Sequence, residues 1–98
     1  MIALSVSMTF APEDFAEVRE HVKGMIELSR KDEGCVEYWW AESLTDENTL
    51  YLYEVWEGPE VFQAHLAQPY EQDWMANQQP KVKKIEVRNY DPTTVTLR

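Results

Sequence analysis

A chain of 98 residues makes one domain, with a modest core that packing against a second surface would extend. The formal net charge of -9 argues against nucleic acid and anionic membrane surfaces as partners, because both would repel the chain. Cys35 is the single cysteine, so an internal disulfide and a metal site built on Cys pairs are excluded, and a reducing, cytoplasmic setting is expected.

The first segment alternates. Ile2, Leu4, Val6 and Met8 interleave with Ala3, Ser5, Ser7 and Thr9, the pattern of a half-buried strand. It shows neither the basic region nor the long apolar region of a signal peptide, so none is expected. Nowhere does an apolar run approach the roughly 18 residues that a membrane span requires. Thr9-Phe10-Ala11 reads as a short connection to a helix. Pro12 suits the first helical position, and Glu13 and Asp14 sit at the positive end of the helix dipole. Phe15, Val18, Val22, Met25 and Ile26 follow at helical spacing, Arg30 and Lys31 fall in the last turn, and Gly34 supplies a stop. Cys35 to Ser43 is the second strand, carrying Val36, Tyr38, Trp39 and Trp40. A polar turn, Thr45-Asp46-Glu47-Asn48, returns the chain as a third strand over Thr49 to Glu57. Pro59 opens a short helix to about Ala67. Pro69 breaks it, and a second piece with Tyr70 and Trp74 runs on until Pro80. Lys81 to Tyr90 is the last full strand, and Thr94 to Leu97 forms a small terminal one after Pro92.

The order β-α-β-β-α-β is the split βαβ arrangement of α+β, ferredoxin-like folds. Two helices cover only one face of a four-stranded antiparallel sheet. The central strands are apolar on both faces, so the bare face calls for a second copy of the chain, and a homodimer built by sheet packing is expected.

Chemistry is concentrated where the third strand meets the next helix. Glu54 is the one ionisable residue in the band Tyr51 to Trp56, and period-two geometry places it on the face of Leu52 and Trp56. His65 lies four residues after Val61 and three after Phe62, so it shares their apolar side. A carboxylate, an indole and an imidazole thus converge.

The runs Gly34-Cys35-Val36-Glu37-Tyr38, Tyr53-Glu54-Val55-Trp56-Glu57 and Ala64-His65-Leu66, with Pro69-Tyr70 beyond, resemble the antibiotic biosynthesis monooxygenase (ABM) family, most closely its small quinol-monooxygenase branch. The likeness spans the chain from the first strand to about Tyr90 within a single domain over 1–98, with 91–98 as a C-terminal extension. It implies a dimeric α+β barrel, each protomer enclosing a pocket between sheet and helices. It also implies oxidation of a small phenol or quinol by O₂ without flavin, haem or metal. Relatives of similar appearance isomerise small signal metabolites, degrade haem, or have no established activity. A haem-degrading relative would carry Asn on the first strand, where this chain has Ser5 and Ser7, and a His within 70–79, where it has none. The oxygenase branch often places an Asn near its Trp, and Tyr51 to Trp56 contains none.

Triplet O₂ reacts slowly with closed-shell molecules, so the substrate must first become electron-rich, which deprotonating a phenol achieves. That chemistry asks for a base, an aromatic wall and a donor for developing negative charge. His65 is the candidate base because imidazole titrates near neutrality. Its bland alternative is a helix histidine with one nitrogen satisfied and the other in water. Glu54 either supports His65 or pairs across the sheet with Lys84 or Arg88. Trp56 is the candidate wall, and Arg88 the candidate donor. Tyr38, Tyr70 and Trp74 line the pocket mouth or pack in the core. Trp39, Trp40, Tyr51 and Tyr53 read as sheet and interface packing, His21 as part of a solvated helix face, and Cys35 as a small strand residue. No metal and no cofactor is expected. The leading function is a cofactor-independent monooxygenase or quinol oxidase acting on a small aromatic. The alternatives are a non-oxidative isomerase and a non-catalytic dimer that binds a small ligand.

Overall fold

The structure, a computed structural model, describes residues 1–90; the extension 91–98, with the strand expected over Thr94 to Leu97, lies outside the described residues. The elements are β1 (Ile2–Phe10), α1 (Pro12–Lys31), β2 (Cys35–Glu42), β3 (Thr49–Trp56), α2 (Pro59–Leu66), α3 (Pro69–Asn77), a single 3₁₀ turn (Gln79–Lys81) and β4 (Val82–Tyr90). The four strands form one antiparallel sheet in the order β2-β3-β1-β4. This is the ferredoxin-like α+β arrangement, with the second helix split in two at Pro69.

Thr9 and Phe10 belong to β1 and not to a connection. Two contacts with the far end of the hairpin hold them there. The Thr9 and Thr49 hydroxyls are 2.9 Å apart, and the Phe10 N–H donates to the Asn48 carbonyl at 2.9 Å. Asn48, at a φ of 54°, makes the left-handed turn that brings the hairpin back.

Strand register divides the sheet into two unlike faces. Met8 stands opposite Leu50, Val6 opposite Leu52, Leu4 opposite Glu54 and Ile2 opposite Trp56, all on the helix side. Tyr38 and Trp40 join that side from β2, opposite Glu54 and Leu52. The stripe Val18, Val22, Met25 of α1 packs onto it, and Trp74 of α3 closes the layer. Each fully buried side chain of this size contributes about 1.5–3 kcal/mol of transfer free energy. Ser5, Ser7, Tyr51, Tyr53 and Trp39 share the opposite face, which no described helix covers. There Trp39, Tyr51 and Tyr53 are 55%, 40% and 42% exposed.

Gly34 joins α1 to β2 at a φ of 80°. A Cβ at this position would sit 2.4 Å from Cγ2 of Val61, so the turn also sets how closely α2 approaches the sheet. His21 is not a solvated residue: its side chain is 16% exposed and its ring lies 5.7 Å from that of Trp74.

Candidate active site

The site is made by a broken helix. Pro69 has no N–H to continue α2 and holds Gln68 in an extended conformation, with ψ 144°, so the chain turns and starts again as α3. The break leaves His65 at the end of α2 and sets Tyr70 and Glu71 in the first turn of α3, on either side of its ring. From the opposite direction, α1 ends at Asp32, whose N–H caps the Ser29 carbonyl at 3.1 Å. His65 Nδ1–H donates to Asp32 Oδ2 at 2.9 Å, and Nε2 lies 3.2 Å from Glu71 Oε1. Asp32 is held in turn by the Gln68 amide, which donates to Oδ1 at 2.9 Å, and by the Tyr70 hydroxyl, which donates to Oδ2. Trp56 covers one face of the imidazole, with ring centroids 4.3 Å apart, and Tyr38 meets its edge at 5.9 Å.

His65 is therefore fully buried and engaged at both nitrogens, not exposed at one as a helix histidine in water would be. Burial pulls its pKa down, but the hydrogen bonds with Glu71 and Asp32 outweigh that effect and raise it above the ordinary value. The charged imidazolium, donating at both ends, is the form this clamp selects. A ring held in that way has no lone pair to offer a substrate.

Glu54 is placed differently. It is buried on the helix side of β3, and the Trp56 indole N–H donates to its Oε1 at 2.8 Å. Burial raises its pKa; the Trp56 bond and the His65 charge oppose the rise, and the neighbouring Glu71 adds to it. A cavity of about 210 Å³ lies between the sheet and the helices, walled by Trp40, Leu52, Trp74 and Met75, with Ile85 and Val87 at its β4 side. Glu54, His65 and Glu71 are the ionisable groups in its lining. Arg88 is elsewhere. It stands opposite Ser5 on β1, and therefore on the bare face of the sheet, with its guanidinium beside Glu86 at 3.3 Å. Lys84 shares that face opposite Thr9, so neither base reaches Glu54 across the sheet.

Of the residues singled out in the sequence, His65, Glu54, Trp56, Tyr38, Tyr70 and Trp74 come together, and Arg88 does not. Trp74 lines the cavity, whereas Trp56, Tyr38 and Tyr70 stand behind it as the packing around His65. Trp40, read as sheet packing, is a cavity wall, its ring 5.6 Å from that of Trp74. Asp32, Gln68 and Glu71 are new. Asp32 is 33 positions from His65, and Glu71 lies beyond a helix break, so neither falls within one periodic pattern. The Pro69 break itself is the signal that could have found Glu71, because a new helix starting four residues after His65 returns a side chain to the end of the old one. Among the described residues, no group of three or more His, Cys, Asp or Glu side chains is arranged to hold a metal ion. No described helix is long and apolar enough to cross a membrane.

Comparison with known proteins agrees with this architecture. The model of the antibiotic biosynthesis monooxygenase (ABM) family matches residues 1–77. No curated protein matches the chain. Among solved structures, a Deinococcus radiodurans protein named provisionally as an antibiotic biosynthesis monooxygenase superposes with a TM-score of 0.82 at 20% identity, covering 93% of this chain and 91% of that one. Rv0793 of Mycobacterium tuberculosis gives 0.83 at 22% identity, with 93% of each chain covered. A Bacteroides thetaiotaomicron protein of unknown function, named a possible oxidoreductase, gives 0.81 at 24% identity, covering 91% of this chain and 94% of that one. At such identities the structures establish a common fold, and the family match over most of the length establishes descent: the chain belongs to the antibiotic biosynthesis monooxygenase family.

Proposed function

We propose that the protein is a cofactor-independent monooxygenase or quinol oxidase that uses O₂ on a single-ring phenol or quinol, and that it works as a homodimer packed sheet to sheet. The observation that carries this reading is Glu54, a buried carboxyl with a raised pKa in the wall of an otherwise largely apolar, aromatic-lined cavity. At about 210 Å³ the cavity falls below the ~300–1,000 Å³ of drug-sized pockets, which favours one ring over a fused system.

Glu54 takes the part of base that the sequence suggested for His65. As carboxylate it accepts the phenolic proton, and the phenolate passes one electron to O₂. The phenoxyl radical and superoxide then combine into a C–O bond. The resulting peroxide retakes the proton from Glu54, and loss of water leaves a carbonyl. In the oxidase variant a second electron and proton follow the first, giving quinone and hydrogen peroxide. A raised pKa suits the task, since a base poised nearer neutrality is the stronger proton acceptor when ionised. His65 acts through others: clamped by Asp32, it fixes Glu71 at the cavity wall.

The test is oxygen uptake by the purified protein, with no cofactor added, across a panel of hydroquinones and phenols. Uptake that depends on the aromatic substrate is expected. Turnover of a substrate without oxygen consumption would instead assign an isomerase, and binding without turnover a ligand carrier.

A further inference from the structure

The cavity has a sign. Glu54 and Glu71 both line it, and among the described residues neither Lys nor Arg does. His65 is the one cation there, and its charge is already shared between Asp32 at 2.9 Å and Glu71 at 3.2 Å. Whatever the protonation of Glu54, the group Asp32, His65, Glu71 and Glu54 carries no surplus positive charge with which to meet an anion. The chain around it carries a formal charge of -9. The remaining walls, Trp40 and Trp74 foremost, present aromatic surfaces that attract a cation and repel an anion.

We infer that Glu54 and Glu71 are the specificity-determining residues of the cavity, admitting neutral and ammonium-bearing single-ring phenols and excluding those that carry a carboxylate, sulfonate or phosphate. The physical reason is desolvation. An anion entering this cavity would give up its water and find two carboxyl groups and no free cation, with the neutral Trp40 indole N–H as the unpaired donor to meet it. A neutral phenol offers its O–H to a carboxylate at little cost. An ammonium on the same ring gains attraction from Glu71 and from the indole faces. The inference deepens the proposed function because it concerns the same cavity, but it is a statement about binding and holds or fails without turnover.

The experiment therefore measures binding under anaerobic conditions, with oxygen uptake assayed separately. Three probes share the 4-hydroxyphenyl ring: tyramine, 4-ethylphenol and 4-hydroxyphenylacetate. Each is titrated into isotope-labelled wild-type protein at neutral pH while the Trp40 and Trp74 indole N–H resonances are followed. Tyramine and 4-ethylphenol should shift both signals, and 4-hydroxyphenylacetate should bind about tenfold or more weakly than 4-ethylphenol. Glu54→Gln and Glu71→Gln keep shape and hydrogen bonding, and each should narrow that gap, with the amide spectrum reporting whether the fold is retained. Equal affinity of wild type for the anionic and neutral phenols would overturn the inference whatever the variants do. So would a gap that survives in well-folded forms of both variants. Oxygen uptake on a neutral phenol combined with indiscriminate binding would sink the charge filter and leave the oxygenase reading intact; selective binding with no uptake on any phenol would do the reverse.

Discussion

His65 and Glu54 occupy adjoining positions, yet their surroundings assign them opposite work. The imidazole is engaged at both ends by carboxylates, so its removal should be felt in stability first. His65→Ala would leave Asp32 and Glu71 buried around an empty space, and breaking a buried ionic arrangement by deleting one partner costs about 3–5 kcal/mol. Urea denaturation should show a loss of that order; a loss under about 1 kcal/mol would mean the clamp is not formed in solution. The pH dependence follows from the raised pKa. A cation whose folded pKa lies above its unfolded value of 6.5 contributes its full stability below that value and loses it as pH rises through the folded pKa. Thermal unfolding temperature should therefore fall on the alkaline side of 6.5, and the fall should be smaller in His65→Gln, where the raised pKa values of Glu54, Cys35, Tyr38 and Tyr70 still act in the same direction. In the proposed function Glu54 serves the chemistry instead. Glu54→Gln keeps the shape and the bond from the Trp56 indole to the side-chain oxygen, so the fold should survive while turnover drops by about 10²–10⁴. In the wild type the rate should rise with pH as Glu54 loses its proton, with the rise displaced above the ordinary carboxylate range because burial raises the pKa. Wild-type turnover in Glu54→Gln would move the base elsewhere in the cavity.

At the scale of elements, the Gly34 turn and the Pro69 break decide where the site forms. Gly34→Ala meets two penalties. The left-handed backbone costs roughly 1–2 kcal/mol for a residue with a Cβ, and the new atom would press on Val61 at 2.4 Å, adding about 1–3 kcal/mol of overpacking. Adding Val61→Gly, which removes the Val61 Cβ at 2.6 Å as well as both methyls, should recover the packing part apart from the glycine's own helix cost, and not the Gly34 backbone part, which separates the two in a double-mutant cycle. Equal stability of Gly34→Ala and wild type would show that α2 does not rest on this turn. These punctuation residues also explain what could be read without a structure. Pro12, Gly34, Gly58-Pro59 and Pro69 act through local backbone geometry, so the order of strands and helices and most boundaries were legible. Glu54, Leu52 and Trp56 share a face because β3 is regular, and that too was legible. Asp32 was not, because a carboxylate at the end of a helix looks solvated until the fold brings α2 over it. Arg88 shows the same limit from the other side. Alternation within β4 sets Arg88 on the face away from Ile85 and Val87, but which of the two faces looks onto the helices depends on the register of β4 against β1, where Arg88 stands opposite Ser5.

For the whole molecule, the unanswered demand is the bare face of the sheet. Trp39, Tyr51 and Tyr53 lie there across two neighbouring strands, each 40% or more exposed, and Tyr90 adds a fourth aromatic from β4. Such rings bury about 150–250 Å² each when fully covered, and with about half of each still exposed the four from each copy offer about 300–450 Å², the aromatic centre of the roughly 800 Å² per partner of a standard interface. A two-fold arrangement suits a single surface that must satisfy itself. Opposing it is charge, since each copy carries -9 and bringing two together works against repulsion. The repulsion is long-ranged and screened by salt, whereas the aromatic contact is not. Added salt should therefore tighten the dimer, the reverse of what an interface held by ion pairs would do. Light scattering at micromolar concentration should give twice the mass of one chain, and analytical ultracentrifugation should show the dissociation constant falling between low and moderate ionic strength. Tyr53→Arg, which sets two like charges against each other near the middle of a two-fold interface, should yield a folded monomer. A wild-type monomer that stays soluble with this face uncovered would end the sheet-packing account.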